Sequence, residues 1–478
     1  VSLPVLKVAV VGHTNTGKTS LLRTLTRDAA FGEVSNRPST TRHVQGACLL
    51  VDGVPLVELY DTPGLEDSIG LLEHLDGLRV DRQMDWIVVL RRFLDSAAAH
   101  GAFEQEAKAL RQVLASDVAL YVIDVRDRVL AKHRDELEIL GRCAKPVVPV
   151  LNFVVSSEAR TAQWREHLAR VNMHAVVEFD TVVLNENGEQ RLFEKMQTLL
   201  DPFRATLEAV IADRIRHRTG LRHAATDLLA DLFIDVAAYR VTLPADGRNN
   251  AAAMESLKRL VREREQCCVD ALLDLYQFRP DDYEAEALPI DDGQWGLDLF
   301  NPASLRQFGI RAGGGAAAGG IAGLAIDAMT GGLTLGAAAA LGATLGALWS
   351  SSQTHGKRLA DRARGFTELR VNDATLRLLA VRQLELVQAL LRRGHASQDK
   401  IRLKAQSAVA RKVWKTQQLP VMLAEAKVHP EWSRLDSAES AANAGDSGRA
   451  AAKAELAKLI EASLREGTGE TPPAAGGT

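Results

Sequence analysis

The chain has 478 residues, 46% hydrophobic and 25% charged, with a net charge of −3. That length suits two or three globular domains, and the mildly acidic balance excludes an electrostatic case for DNA binding and argues against RNA. Four cysteines without metal-ligand spacing exclude a disulfide framework and a zinc site, and such low use fits a reducing, cytoplasmic setting.

Residues 5–11, Val-Leu-Lys-Val-Ala-Val-Val, form an apolar run of the kind that makes a buried parallel strand. It begins so near Val1 that no cleaved leader is expected. Gly12-His13-Thr14-Asn15-Thr16-Gly17-Lys18-Thr19 follows, and Ser20-Leu21-Leu22 continues as a helix. This is the phosphate-cradling pattern GxxxxGK[ST] between a strand and a helix. Gly12 and Gly17 let backbone N–H groups turn inward, while the helix presents its positive end to the same charge. Lys18 is expected on the β/γ oxygens, and Thr19 on magnesium. A bare pattern also arises by chance, but the strand–helix context makes it specific.

Ser39-Thr40-Thr41-Arg42 lies in a polar stretch after that helix. A threonine that covers magnesium only while the γ-phosphate is present must come from such a segment. Thr41 is the candidate, with Thr40 as the alternative and a solvated loop threonine as the bland reading. Residues 47–59 read as two strands around the Asp52-Gly53 turn. Cys48 there, and Cys143 later, are expected as small core residues. Asp61-Thr62-Pro63-Gly64 closes the second strand, with Asp61 as a magnesium residue and Gly64 as the N–H that senses the γ-phosphate. Residues 66–115 read as mostly helical, and the runs 118–123 and 146–151 as buried strands with a helix between. Val176-Val177-Glu178-Phe179 is the last strand candidate. Strands alternating with helices give an α/β domain over 1–200 with a doubly wound, mostly parallel sheet.

Together these motifs resemble the TrmE–Era–EngA group of translation-factor-like P-loop GTPases over about residues 4–185. The resemblance implies a GTP-binding and GTP-hydrolysing enzyme that uses Mg2+. It implies a K+ site at Asn15, where the potassium-dependent members carry an asparagine. Leu65 stands where Ras-like members orient water with glutamine, and leucine offers neither donor nor acceptor. Glu73 sits at the spacing of the acid used by TrmE-like members, although a lone helical glutamate is more often a solvated charge. The base-recognition motif N/T-K-x-D is incomplete. Asn152 is present, Phe153 replaces the lysine, and Val155 stands where the aspartate belongs. Asp180 is the nearby carboxylate that could substitute.

Beyond residue 200 the helical period dominates. Residues 201–311 read as helices and a connector, broken near Leu243-Pro244-Ala245-Asp246-Gly247. Residues 312–349 are almost wholly Gly, Ala and aliphatic, and their glycines recur every four residues. That spacing suggests a glycine-zipper helical hairpin, flanked by Arg306, Arg311, Lys357 and Arg358. One reading is inner-membrane association with both ends in the cytoplasm. The other is a packed hairpin away from lipid, because each arm is shorter than roughly 20 residues and Asp327 would cost about 3 kcal/mol in a bilayer. Residues 350–430 read as helical, with Asn372-Asp373 starting a helix that Gly394 stops, and 431–478 as a terminal helix and tail. The fold expected is therefore α/β followed by an all-α C-terminal region. The whole resembles a bacterial family that fuses such a GTPase domain to a region of unknown function. Three roles follow: a GTPase driving its helical region, a weakly hydrolysing membrane switch, or an Era-like ribosome-assembly GTPase. A protein effector or a homodimer is a further expected partner.

Overall fold

The computed structural model describes residues 3–27, 44–81, 83–181, 187–244, 250–276, 290–291, 294–295, 298–308, 310, 324–327, 366–392, 414, 418–435 and 447–468. Thr40 and Thr41 lie outside them, as does residues 312–349 apart from 324–327. The chain divides into two compact units. One comprises Val1–Gly220 with Leu391–Lys400, and the other Leu221–Leu390 with Ile401–Thr478.

The first unit runs β1 (Leu6–Val11), α1 (Lys18–Thr26), β2 (Gln45–Val51), β3 (Val54–Asp61), α2 (Ser68–Leu78), α3 (Trp86–Leu94), α4 (Glu104–Ala115), β4 (Val118–Asp124), α5 (Ala131–Arg142), β5 (Val147–Asn152), α6 (Thr161–Arg170), β6 (Val177–Glu178) and α7 (Gly188–Gln197). Its six-stranded sheet has the order β2-β3-β1-β4-β5-β6, with β2 antiparallel to β3 and the other pairs parallel. Side-chain alternation along β1 and β4 builds two cores. Leu6, Val8, Val10, Val118, Leu120 and Val122 face one side, with Leu21, Leu25, Phe193 and Met196. Ala9, Val11, Ala119, Tyr121 and Ile123 face the other, with Leu71, Phe93, Leu110, Leu140 and Trp164. Burying such a Leu or Phe side chain contributes about 2 kcal/mol each, so a sheet covered on both faces is the stable arrangement. The chain leaves β1 toward β3 on one side and later reaches β4 on the other. The carboxyl end of β1 is therefore the topological switch point where ligands bind in such sheets.

The doubly wound domain and its helical stretch at 66–115 are as the sequence suggests. Two details differ. Cys48 is exposed, because it lies on the outer strand β2. Cys143, by contrast, is buried as expected, and burial pushes its thiol up to about 12. The last strand is also short, at Val177–Glu178.

The second unit is mainly helical, through α8 (Arg204–Ala238) beyond Gly220, α9 (Asn250–Leu275), α10 (Pro302–Gln307), α11 (Asp373–Arg392) up to Leu390, α12 (Val421–Ala426) and α13 (Ser447–Thr468). In α11, Leu376, Leu379, Leu384, Val387 and Leu390 are buried, and Asn372 caps its start by accepting from Thr375 N at 2.8 Å. Asp235 of α8 is 1% exposed and accepts from Arg264 at 2.9 Å and Arg449 at 2.8 Å. That pairing ties α9 and α13 to α8.

The region is not all-α. A three-stranded antiparallel sheet joins residues Leu324–Asp327, Phe366–Val371 and Arg240–Pro244 in that order. The helical period breaks near Leu243-Pro244 as expected, at the end of the strand Arg240–Pro244. Two expectations are corrected. The 366–371 stretch is a strand because Leu369 and Val371 are buried while Glu368 and Arg370 are only half-buried, which is period-two alternation. Leu324–Asp327, inside the first arm of the expected helical hairpin, is a strand with Asp327 opposite Glu368. Glycine is a poor helix former, so four-residue glycine spacing does not by itself commit a segment to helix. Among the described residues, no helix is long and apolar enough to cross a membrane.

Candidate functional site

The phosphate loop runs from the end of β1 into α1. Gly17 caps α1 with φ 90°, a conformation that costs a side-chain-bearing residue strain. A Cβ there would also come within 2.4 Å of Asn152 Nδ2, so Gly17 meets two constraints at once. Asn15 is exposed and has φ 64°, which asparagine tolerates. Ser20 and Thr14 are half-buried. Thr16 is buried and donates its hydroxyl to His13 O at 3.0 Å.

Lys18 exposes only 6% of its surface and donates Nζ to Gly12 O at 3.1 Å and His13 O at 2.8 Å. Burial pulls its ammonium below the ordinary value, opposed by the charges of Asp61, Glu136 and Glu66. Thr19 donates Oγ1 to Asp61 Oδ2 at 2.5 Å, and both residues are buried. Thr62 anchors the end of β3 by donating to Val10 O at 2.7 Å. One hydroxyl and one carboxylate converging beside a phosphate loop are the sparse oxygen set that Mg2+ takes when phosphates and water complete its shell. The residues present fit that ion.

Gly64 passes directly over the loop. A Cβ on it would meet Thr14 Oγ1 at 2.5 Å and Thr14 N at 2.9 Å. Leu65 follows with a fully buried side chain. Its N–H donates to Gly12 O at 3.3 Å. Its carbonyl lies 2.9 Å from His13 Nδ1. What holds this turn carries no spacing signal in the sequence. Lys132 Nζ of α5 is 2.8 Å from His13 Nε2. An ammonium only donates, so Nε2 accepts and the ring proton sits on Nδ1. There it faces two acceptors, Leu65 O and Glu136 Oε1 at 3.0 Å. Glu136 is fully buried and also accepts from Tyr121 at 2.6 Å. Burial and then Glu136 raise the Tyr121 phenol well above its usual value, so it remains a donor.

The next two residues are held from α4. Glu106, 4% exposed, accepts both Glu66 N–H at 3.1 Å and Asp67 N–H at 3.0 Å on Oε1. Asp67 caps α2 by accepting from Gly70 N at 2.9 Å. The Glu66 carboxylate then lies 3.4 Å from Thr14 Oγ1 of the loop. Glu73, the acid picked by spacing, is exposed on α2. A buried glutamate on a helix far along the chain leaves no spacing motif, so Glu106 and Glu136 were not legible before folding.

At the nucleoside side, Asn152 is fully buried and organises three segments. It donates Nδ2 to Thr16 O at 2.9 Å. Its Oδ1 accepts from Phe153 N at 2.9 Å, Thr181 N at 3.0 Å and Thr181 Oγ1 at 3.1 Å. Asp180 accepts from Val155 N at 3.1 Å.

The comparisons with known proteins agree with this geometry. A profile described as a 50S ribosome-binding GTPase matches residues 7–153. A second, described as a domain of unknown function (DUF3482), matches residues 165–458. The tRNA modification GTPase MnmE of Synechococcus elongatus is 30% identical over 144 residues, covering 30% of each chain. MnmE of a Picosynechococcus strain is 38% identical over 105 residues, 21% of this chain and 22% of that one. GTPase Der of Xylella fastidiosa is 32% identical over 149 residues, 31% of this chain and 25% of that one. The chain thus spans less than a third of the length of these curated relatives. Among solved structures, Era in complex with MgGDPNP and a 16S ribosomal RNA fragment is similar at 19% identity and a TM-score of 0.28, over 38% of this chain and 52% of that one. The chain has a P-loop GTPase domain like that of the TrmE–Era–EngA group, and it belongs to the family of the DUF3482 domain.

Proposed function

We propose that this protein hydrolyses GTP with Mg2+ and that the segment Gly64–Asp67 reports the nucleotide state to the helices that follow it. The buried Thr19–Asp61 pair beside Lys18 carries this reading. Lys18 would neutralise β/γ oxygens, and Thr19, Asp61 and Thr41 would hold the metal, which supplies charge neutralisation on the phosphates. Gly12, His13, Thr14, Asn15, Thr16, Gly17 and Ser20 form the cradle, and Gly64 supplies an N–H to the γ-phosphate. Water positioning falls to Glu66, to Glu73, or to a K+ ion beside Asn15. Glu66 is favoured because its carboxylate reaches the loop at Thr14 while the Leu65 side chain is buried.

Phosphate release from GTP in K+ against Na+, on wild-type protein, Glu66→Gln and Glu73→Gln, tests this. Loss with Glu66→Gln alone supports the assignment. Full rates in both variants and in Na+ would remove all three candidates for activating water.

A membrane-coupled version rests on the composition of 312–349 and its flanking basic residues. The strand at Leu324–Asp327 argues against a continuous helical first arm. Membrane fractionation of the full chain against a deletion of 312–349 separates the versions, and unchanged fractionation would dispose of the membrane role.

A further inference from the structure

The end of β5 holds an arrangement that the phosphate chemistry does not use. Phe153 has φ 61°, a rare conformation for a bulky residue that persists only when surroundings impose it. Here Asn152 Oδ1 accepts the Phe153 N–H at 2.9 Å and fixes that conformation. The ring tip is thereby turned toward the phosphate loop, with Cζ 3.4 Å from where a Cβ on Gly17 would lie. The ring is half-buried, and Arg126 lies over it with its guanidinium carbon 3.9 Å from the centroid. Arg126 is itself locked. Its Nε donates to Asp124 Oδ1 at 2.9 Å and its Nη2 to Oδ2 at 2.6 Å, a forked pair at the end of β4.

Two buried carboxylates adjoin this stack, and both are engaged. Asp124 holds Arg126, and Asp180 accepts the Val155 N–H at 3.1 Å. Val155 itself is 61% exposed and has an aliphatic side chain that can neither donate nor accept.

We infer that the nucleotide base is held by stacking on the Phe153 ring, stiffened by Arg126, and not by a carboxylate reading its edge, so the site takes nucleoside triphosphates without discriminating guanine from adenine. The inference rests on the reading of Gly12–Thr19 as the triphosphate site. A polar site built around a base edge rejects the wrong base by about 10⁴-fold or more. Stacking tolerates any base, because every base has a π face. The strand-end position of Phe153, one residue past the asparagine that ties β5 to the loop, puts the platform on the nucleoside side of the phosphates.

The test is the dissociation constants of fluorescent GTP and ATP analogues, measured on the full chain with Mg2+. Wild-type protein is expected to bind the two within about tenfold of each other. Phe153→Ala is expected to weaken both by about tenfold or more, and Phe153→Tyr to restore both. Val155→Asp, which places a carboxylate at the exposed position, is expected to shift the ratio toward GTP by about tenfold or more. A wild-type preference for GTP above about a hundredfold would overturn the inference and leave the triphosphate site standing. So would a Val155→Asp protein with an unchanged ratio. Binding of neither nucleotide, with the thermal transition intact, would overturn the triphosphate site itself. The wild-type ratio and the exposed Val155 variant keep the test decisive even if Phe153→Ala does not fold.

Discussion

The Thr19 hydroxyl donates to the Asp61 carboxylate at 2.5 Å, joining the start of α1 to the end of β3 in a buried contact. The strand order explains why two residues so far apart in sequence meet, since β1 and β3 are parallel neighbours with Val10 opposite Asp61. Asp61→Asn keeps the shape and removes the charge. It should weaken GTP binding in Mg2+ by about tenfold or more, and leave binding in EDTA unchanged. Equal affinities with and without Mg2+ in both proteins would show that Asp61 serves no metal.

Glu106 gives the helical stretch a measurable task. One carboxylate oxygen accepts two N–H groups from the turn after Gly64. Glu106→Ala should lower kcat for GTP by at least about tenfold with the nucleotide dissociation constant unchanged, because the turn and not the cradle is released. Glu106→Gln retains an acceptor oxygen and should recover most of the rate. A fall in thermal stability with kcat unaltered would reduce Glu106 to a packing role.

Asn152→Ala strips four hydrogen bonds from a fully buried position. A loss of about 2–4 kcal/mol in unfolding free energy is expected, along with weaker nucleotide binding. Denaturant unfolding measures the first. A loss under about 0.5 kcal/mol would place this site with ordinary surface positions.

The sequence showed the first domain more fully than the second for physical reasons. Short continuous apolar runs rich in β-branched residues, such as Val118–Ile123, suit a strand covered on both faces, and the loop motif has fixed spacing. The sheet of the second unit is built from short segments far apart, Arg240–Pro244, Leu324–Asp327 and Phe366–Val371, whose pairing is set by tertiary contacts and not by local pattern. In the site, Lys18, Thr19, Asp61 and Asn152 were legible because their spacing is the motif. His13 was legible as a loop residue but not its partners, and Lys132, Glu106 and Glu136 were not legible at all, because these contacts form only when α4 and α5 pack beside the loop. Arg126 was hidden likewise, since nothing in sequence ties it to Phe153.

The buried imidazole of His133 sets a pH dependence. It accepts from Leu130 N at 3.2 Å and packs 4.9 Å from the Trp164 ring. Burial lowers it from 6.5 to about 4. The folded state therefore binds this proton less readily than the unfolded chain, so the neutral imidazole's contribution is complete above pH 6.5 and is lost as pH falls toward 4. His133→Asn, which keeps an acceptor, should flatten the stability profile over that window. Parallel profiles for the two proteins would exclude His133 as the source.

Magnesium-dependent release of phosphate from GTP by the full chain, compared with Lys18→Ala, tests the account most directly. The buried, loop-facing ammonium of Lys18 predicts release by the wild type in Mg2+, none in EDTA, and a loss of at least about a hundredfold in the variant. Release that is equal in the two proteins, or unchanged by EDTA, would contradict it.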